Sequence, residues 1–277
     1  MHKQAIFPIR INDCDYLGHV NNTVYFSYIW QATAELFPFA VASHLHANRV
    51  SIDYQKPAKF GNGDIVIDVW FRDTEHAIYA IRQANDVIAT AQVDWYPSVE
   101  LVTQIAAQLT SVDPTVKVKD TKYQIEHFGK PFYWTNRIQT RELTAGGYID
   151  TSSFIHWVDE AVWRAIEHHG WSFQRMQQEN CAVYIVNHHI EVFAHPQWLV
   201  GEHMTVVSQL QNVRKVRGTW RHEFYVKGSK ELLAREFVSG AFVTLDGQIR
   251  EPAPGLIDIC VLGSPEDSAV IESAPQD

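Results

Sequence analysis

The sequence predicts an α+β protein with two copies of one domain, each containing a long helix and an antiparallel sheet. Two observations lead to this prediction. The same order of elements, a strand, a long helix and four further strands, occurs twice along the 277 residues. The halves also align by residue, since Gly147 follows Gly18 by 129 positions and Phe154 meets Tyr25 at the same offset. A repeat of this length is a whole domain rather than a solenoid unit.

In the first half, QAIFPIRI predicts the opening strand. Apolar residues on one helical stripe predict a helix from Thr23 to Ala42, with Asn21 or Asn22 as its N-cap. Four strands are expected next, in RVSIDY, IVIDVWF, AIYAIRQ and VIATAQVDWY. Turn residues such as Asn62-Gly63-Asp64 separate them.

The second half repeats this order. A helix is expected from Asp150 to Gly170, where the glycine suits the position after a helix end. Strands follow in AVYIVNHHIEVF, MTVVSQLQNV, TWRHEFYVK and LLAREFVSGAFVTL. The predicted domains are residues 1–115 and 131–277, joined by a linker at 116–130.

Composition excludes several classes of protein. The net charge of −9 argues against a partner that is nucleic acid or an anionic membrane. The sequence shows neither a signal peptide nor a bilayer-spanning stretch, so a cytoplasmic location is expected. The three cysteines and the paired histidines lack disulfide or zinc spacing, which predicts no metal.

Polar residues are concentrated in DCDYLGHVNN, Asp13–Asn22, directly before the first helix. Capping explains part of this concentration, because asparagine is a preferred N-cap residue. Asp13 is expected to pair with Arg10. Strand alternation should turn Cys14 away from Asp15 and into the core. Asp15 remains as the candidate reaction centre.

The stretch resembles the Asp-x-Asp-x-x-Gly-His-Val-Asn-Asn pattern of the 4-hydroxybenzoyl-CoA thioesterase/acyl-CoA thioesterase group, whose members have the hotdog fold. In that group the second aspartate is the catalytic acid, which implies this role for Asp15. Two such domains in one chain are similar to the tandem layout of acyl-ACP thioesterases. Leu17 stands where those enzymes usually carry asparagine, so the acyl-CoA enzymes match better there. The resemblance implies two hotdog domains paired as a pseudo-dimer, sheet edge to sheet edge, as a monomer or as a homodimer of the tandem unit.

Thioester hydrolysis needs an attacking oxygen and donors for the carbonyl oxygen. The Asp15 carboxylate can deprotonate water or attack directly. Helix-start N–H groups at residues 20–23 are expected to hold the oxyanion. Gly18 would let the substrate approach the backbone, and His19 would tune protonation. No cofactor is expected, because the CoA or phosphopantetheine thioester is the substrate and its thiolate leaves readily.

The residues expected to bind substrate come from both halves: Val20, Asn21, Asn22, Tyr25, Phe154, Trp157, Arg214, Lys215 and Arg217. The last three would bind a phosphate of acyl-CoA or acyl carrier protein. Lys56 and Lys59 form a second basic group that could bind such a phosphate. For either group the alternative is a solvated hairpin.

The second half departs from the motif. Thr144 replaces Asp15 and Tyr148 replaces His19, so hydrolysis is expected at one site, although Glu142, the counterpart of Asp13, leaves a second site open. Two alternatives to a thioesterase remain at this point: a non-catalytic acyl-CoA-binding protein, and a hotdog dehydratase or hydratase.

Overall fold

The computed structural model describes residues 2–15, 18–37, 45–96, 99–106, 123 and 129–263. Its contacts divide the chain into two compact units. Unit 1 comprises Met1–Thr121, Arg141–Ile155 and Pro196–Trp198, and unit 2 comprises Lys122–Thr140, His156–His195 and Leu199–Asp277. The second copy of the motif loop is therefore grouped with the N-terminal half of the chain.

The N-terminal half has the predicted order of elements. They are β1 (His2–Phe7), α1 (Asn22–Ala34), β2 (Ala47–Tyr54), β3 (Ile65–Phe71), β4 (His76–Gln83) and β5 (Asp86–Trp95), followed by α2 (Val99–Ala106). The strands form antiparallel neighbours in the order β1-β3-β4-β5-β2. Residues Phe26, Ile29 and Ala32 of α1 are fully buried, which gives the helix its core-facing stripe.

Two boundaries in this half differ from the prediction. The strand β1 ends at Phe7, before Pro8, because proline cannot donate a ladder hydrogen bond. The helix α1 ends at Ala34 rather than Ala42, with Glu35 as its C-cap. Phe37 precedes Pro38 in the sequence, and a residue before proline is disfavoured in the helical region. The rest of the predicted helix, residues 38–42, lies outside the described residues.

The C-terminal half repeats these elements. They are β6 (Phe132–Arg137), α3 (Thr151–His168), α4 (Phe173–Gln178), β7 (Ala182–Val192), β8 (His203–Arg214), β9 (Arg217–Val226), β10 (Leu232–Val243) and α5 (Leu256–Cys260). The strands lie in the order β7-β10-β9-β8-β6, again antiparallel. Gly170 follows the end of α3 with φ +84°, as its position after a helix predicts. The short helices α4 and α5 were not predicted, because neither has a long apolar stripe.

The repeat extends to individual hydrogen bonds. The Asp15 N–H donates to the His19 carbonyl at 2.7 Å, and at the same offset the Thr144 N–H donates to the Tyr148 carbonyl at 2.8 Å. Gly18 and Gly147 both have positive φ, +75° and +81°, a conformation that glycine adopts without steric cost. The duplicated α+β domain that the sequence predicts is therefore confirmed down to the loop.

Among the helices that the structure describes, none is both long and apolar enough to cross a membrane.

Candidate active site

A tight loop connects the 3₁₀ turn Ile11–Asp13 to helix α1. Cys14 and Val20 form an isolated antiparallel bridge, and the Gly18 N–H donates to the Asp15 carbonyl at 3.0 Å. The Val20 N–H donates to the Ala58 carbonyl at 2.9 Å, which ties the loop to the segment after β2. Residues 16 and 17, including the Leu17 at which the motif departs from the acyl-ACP enzymes, lie outside the described residues. The loop thus has a fixed backbone at both ends.

The Asp15 carboxylate is half-buried at this loop. Its Oδ1 accepts the backbone N–H of His19 at 3.0 Å. Because that N–H belongs to the bridged part of the loop, the hydrogen bond sets the direction of the carboxylate. A positioned carboxylate in a loop before a helix is suited to act as a base or a nucleophile.

Asp13, two residues earlier, has a different environment. Its Oδ2 accepts the Arg10 N–H at 2.7 Å and the Tyr28 hydroxyl at 2.7 Å. Burial raises the pKa of Tyr28, and the Asp13 carboxylate raises it further. Asp13 does contact Arg10, but at its backbone N–H rather than its guanidinium. These bonds give Asp13 a role in fastening the loop to the helix.

The start of α1 is capped by Asn21, whose side-chain oxygen accepts the Thr23 N–H at 3.0 Å. Three of the four N–H groups expected to hold the oxyanion, those of residues 20–23, already donate to other protein atoms. Val20 donates to Ala58, Asn21 to the Asp13 carbonyl and Thr23 to the Asn21 side chain. The prediction of a whole set of available N–H groups was wrong, because the loop and its cap use three of the four. The fourth is the N–H of Asn22, the first residue of the helix.

Two tyrosines surround this helix start. Tyr25 is buried, and its hydroxyl accepts the Ala58 N–H at 3.2 Å. Burial raises the pKa of Tyr25 to about 12, and the Asp15 charge contributes in the same direction. The Tyr54 hydroxyl donates to the Asn22 carbonyl at 3.2 Å, while its ring meets Tyr25 edge-on at 5.1 Å. Sequence reasoning did not identify Tyr54, since it is one of several aromatics on a strand.

His19 is half-buried beside Lys59, with which it forms an isolated bridge. Burial lowers the pKa of His19; the Asp15 carboxylate opposes this effect and the Lys59 ammonium adds to it. Cys14 is half-buried rather than part of the core, so the expectation of a core filler was wrong. Burial raises the pKa of the Cys14 thiol, and the charges of Asp13 and Asp15 raise it further. A thiol in this environment is a poor nucleophile.

In the second copy, other side chains fill the equivalent positions. Tyr148, the counterpart of His19, stacks on His46 with the ring centroids 4.2 Å apart. His46 in turn stacks on Tyr96, with a centroid distance of 4.5 Å. Trp198 covers Gly147 so closely that a Cβ there would lie 2.6 Å from the indole ring. Thr144 supplies no carboxylate. Glu142 is buried, and its carbonyl accepts the Asp150 N–H at 2.9 Å.

The other predicted binding residues are divided between the two units. Phe154, in unit 1, is buried. Trp157, in unit 2, packs against Phe224 of its own sheet at 6.4 Å, which makes it a core residue there. Arg214, Lys215 and Arg217 form the exposed tip of the β8–β9 hairpin in unit 2, where Lys215 pairs with Glu251 at 3.2 Å.

Within the ranges that the structure describes, no group of three or more histidine, cysteine or acidic side chains could hold a metal ion.

Comparison with protein families gives a match in each half. Residues 2–97 match the acyl-ACP thioesterase C-terminal domain, and residues 132–259 match the thioesterase-like superfamily. The domain that is C-terminal in the first of these families is thus N-terminal here. A comparison with curated protein sequences found no match.

Solved structures share the fold over most of the chain. A Lactobacillus plantarum protein assigned as an oleoyl thioesterase is 12% identical, with a TM-score of 0.67 over 88% of this chain and 97% of its own. The 12:0-ACP thioesterase of Umbellularia californica is 9% identical, with a TM-score of 0.60 over 86% and 93%. An acyl-ACP thioesterase of Bacteroides thetaiotaomicron is 12% identical, with a TM-score of 0.58 over 87% and 97%. The chain therefore has the tandem hotdog fold, and the thioesterase models matched in both halves identify it as a thioester hydrolase.

Proposed function

We propose that this protein hydrolyses an acyl group carried on a phosphopantetheine thiol, as acyl carrier protein or acyl-CoA, and that Asp15 provides the attack. The observation that supports this most is the environment of Asp15. Its carboxylate is aimed by the His19 N–H at 3.0 Å, in a loop that carries the thioesterase motif. The match of residues 2–97 to an acyl-ACP thioesterase domain favours the carrier protein over CoA.

In the reaction, Asp15 takes a proton from water, and the hydroxide oxygen forms a bond to the thioester carbonyl carbon. The carbonyl oxygen becomes an oxyanion. When the intermediate collapses, the carbon–sulfur bond breaks and the thiolate accepts the proton. In the alternative route, the carboxylate oxygen itself adds to the carbonyl, and water then cleaves the resulting anhydride. Both routes give a carboxylic acid and a thiol.

We assign the oxyanion contact to the Asn22 N–H. It is the donor of the predicted set for which the described residues show no acceptor, and it stands at the start of α1, where the helix dipole favours negative charge. The hydrogen bond from the Tyr54 hydroxyl to the Asn22 carbonyl at 3.2 Å helps to fix the orientation of this residue.

The test is thiol release from a chain-length panel of acyl-CoA and acyl carrier protein, with wild type and Asp15→Asn. The amide keeps the size of the side chain and can still accept the His19 N–H, but it cannot act as a base. We expect kcat to fall about 100-fold or more. Circular dichroism and thermal unfolding would verify that the variant is folded.

A wild type that binds acyl-CoA without releasing thiol would replace this proposal with the acyl-CoA-binding role. Hydration of an enoyl thioester, with the thioester bond left intact, would replace it with a hydratase. Single-turnover hydrolysis in ¹⁸O-water separates the two routes, because only the anhydride route can place the label in the Asp15 carboxylate.

A further inference from the structure

A cleft of about 340 Å³ opens next to the Asp15 loop. Its lining includes Lys56, Lys59, Asn62, Gln83 and Asp86. Lys59 is the residue that bridges to His19, so the cleft lies beside the loop that carries Asp15. Lys56 also lines the cleft, and its ammonium pairs with Asp86 at 2.8 Å on the surface.

The wall of this cleft is held in place by a buried amide. Gln83, only 6% exposed, accepts the Lys59 N–H at 2.9 Å and donates to the carbonyls of Lys59 at 2.6 Å and Gly63 at 3.1 Å. The Lys56 backbone is anchored separately, through its N–H to the Ile88 carbonyl at 3.1 Å. Both lysines therefore extend from fixed backbone, which lowers the entropic cost of placing their charges on a ligand.

The repeat provides an internal comparison. The aligned stretches IDYQKPAKF and IEVFAHPQW place Ala194 opposite Lys56 and Gln197 opposite Lys59. The second copy thus lacks both lysines, and it also lacks the acid and the histidine of the motif. If the two lysines were only solvent-exposed loop residues, there would be no reason for them to occur in the copy that carries Asp15 and not in the other.

We propose that this cleft binds the phosphate at the end of the phosphopantetheine arm, the group that acyl-CoA and acyl carrier protein share. The inference rests on the proposed function, because it takes the thioester to lie at Asp15. Lys59 and Lys56 supply the positive charge, and Asn62 adds polar surface at the same rim. Asp86 opposes an anion, and its pairing with Lys56 must loosen when the phosphate binds. The exposed tip at Arg214, Lys215 and Arg217 is not the site in this assignment.

The experiment compares thioesters with the same acyl group on four carriers: N-acetylcysteamine, which has no phosphate, 4′-phosphopantetheine, CoA and acyl carrier protein. The readout is kcat/KM for each phosphorylated carrier divided by kcat/KM for the N-acetylcysteamine thioester. In Lys56→Ala/Lys59→Ala, all three ratios should fall about tenfold at low ionic strength, and less in high salt. Asp86→Asn should raise them. Lys3→Ala, an exposed lysine on β1 of the same unit, is the matched control and should leave them unchanged.

Ratios within twofold of wild type in the double variant would overturn the proposal. So would a loss confined to acyl-CoA, which would indicate contact with the nucleotide phosphates, or a loss confined to the carrier protein, which would indicate contact with the protein surface. Calorimetric titration with 4′-phosphopantetheine separates this result from failure of the proposed function. Weaker binding by the double variant would support the cleft even if no thioester were hydrolysed, and absence of binding to wild type would refute it.

Discussion

At the scale of single residues, two aspartates one residue apart have different roles. Asp13 accepts a backbone N–H and a tyrosine hydroxyl on one oxygen, and so fastens the 3₁₀ turn to α1. Asp15 accepts a backbone N–H from its own loop, that of His19. The motif predicts that the second of the two acids is the catalytic one, and this assignment stays a prediction. The motif could not predict that the Val20 N–H would donate to the Ala58 carbonyl, because Ala58 lies more than thirty residues away in the sequence.

The charges around His19 lead to a prediction about its titration. Burial lowers the pKa of His19, Asp15 opposes this effect and Lys59 reinforces it. Removal of the cation in Lys59→Ala should therefore raise the pKa of His19, and removal of the anion in Asp15→Asn should lower it. NMR titration of the His19 ring protons measures both changes. Shifts in the same direction in the two variants would contradict this account of the loop electrostatics.

At the scale of elements, the C-terminal sheet carries a buried polar network that the sequence did not reveal. The His188 Nδ1 on β7 lies 2.5 Å from the Glu236 Oε1 on β10, and both side chains are fully buried. On the neighbouring strands the Ser208 hydroxyl lies 2.8 Å from the His222 Nδ1. Burial lowers the pKa of His222 to about 3, so its ring is neutral at physiological pH. These residues alternate with apolar ones along their strands, and only the strand register brings them together.

Loss of one member of the His188–Glu236 pair should be costly. Glu236→Leu leaves His188 buried opposite an apolar side chain, and we expect the free energy of unfolding to fall by about 3–5 kcal/mol. Urea denaturation measures this change. The double variant His188→Leu/Glu236→Leu serves as the control, because removal of both partners should recover much of the loss. If the double variant lost as much free energy of unfolding as His188→Leu and Glu236→Leu together, the two side chains would not act as a pair.

At the scale of the whole molecule, one domain has been duplicated and the copies have diverged in the motif loop. The sequence predicted the repeat, the order of elements and most strand bounds, because hydrophobic periodicity and turn residues are local signals. It did not predict the aromatic stack of Tyr148, His46 and Tyr96, since the two contacts join residues about a hundred and about fifty positions apart. The domain limits at 1–115 and 131–277 and the pairing of the two copies stay predictions.

We propose that hydrolysis takes place at Asp15 and not at Thr144, the equivalent position of the second copy. The most direct measurement is kcat for thiol release by Asp15→Asn and by Thr144→Ala, the same loop position in the two repeats, with one acyl thioester. We expect kcat to fall about 100-fold or more in Asp15→Asn and to change by no more than about twofold in Thr144→Ala. Equal losses in the two variants, or full activity in Asp15→Asn, would contradict it.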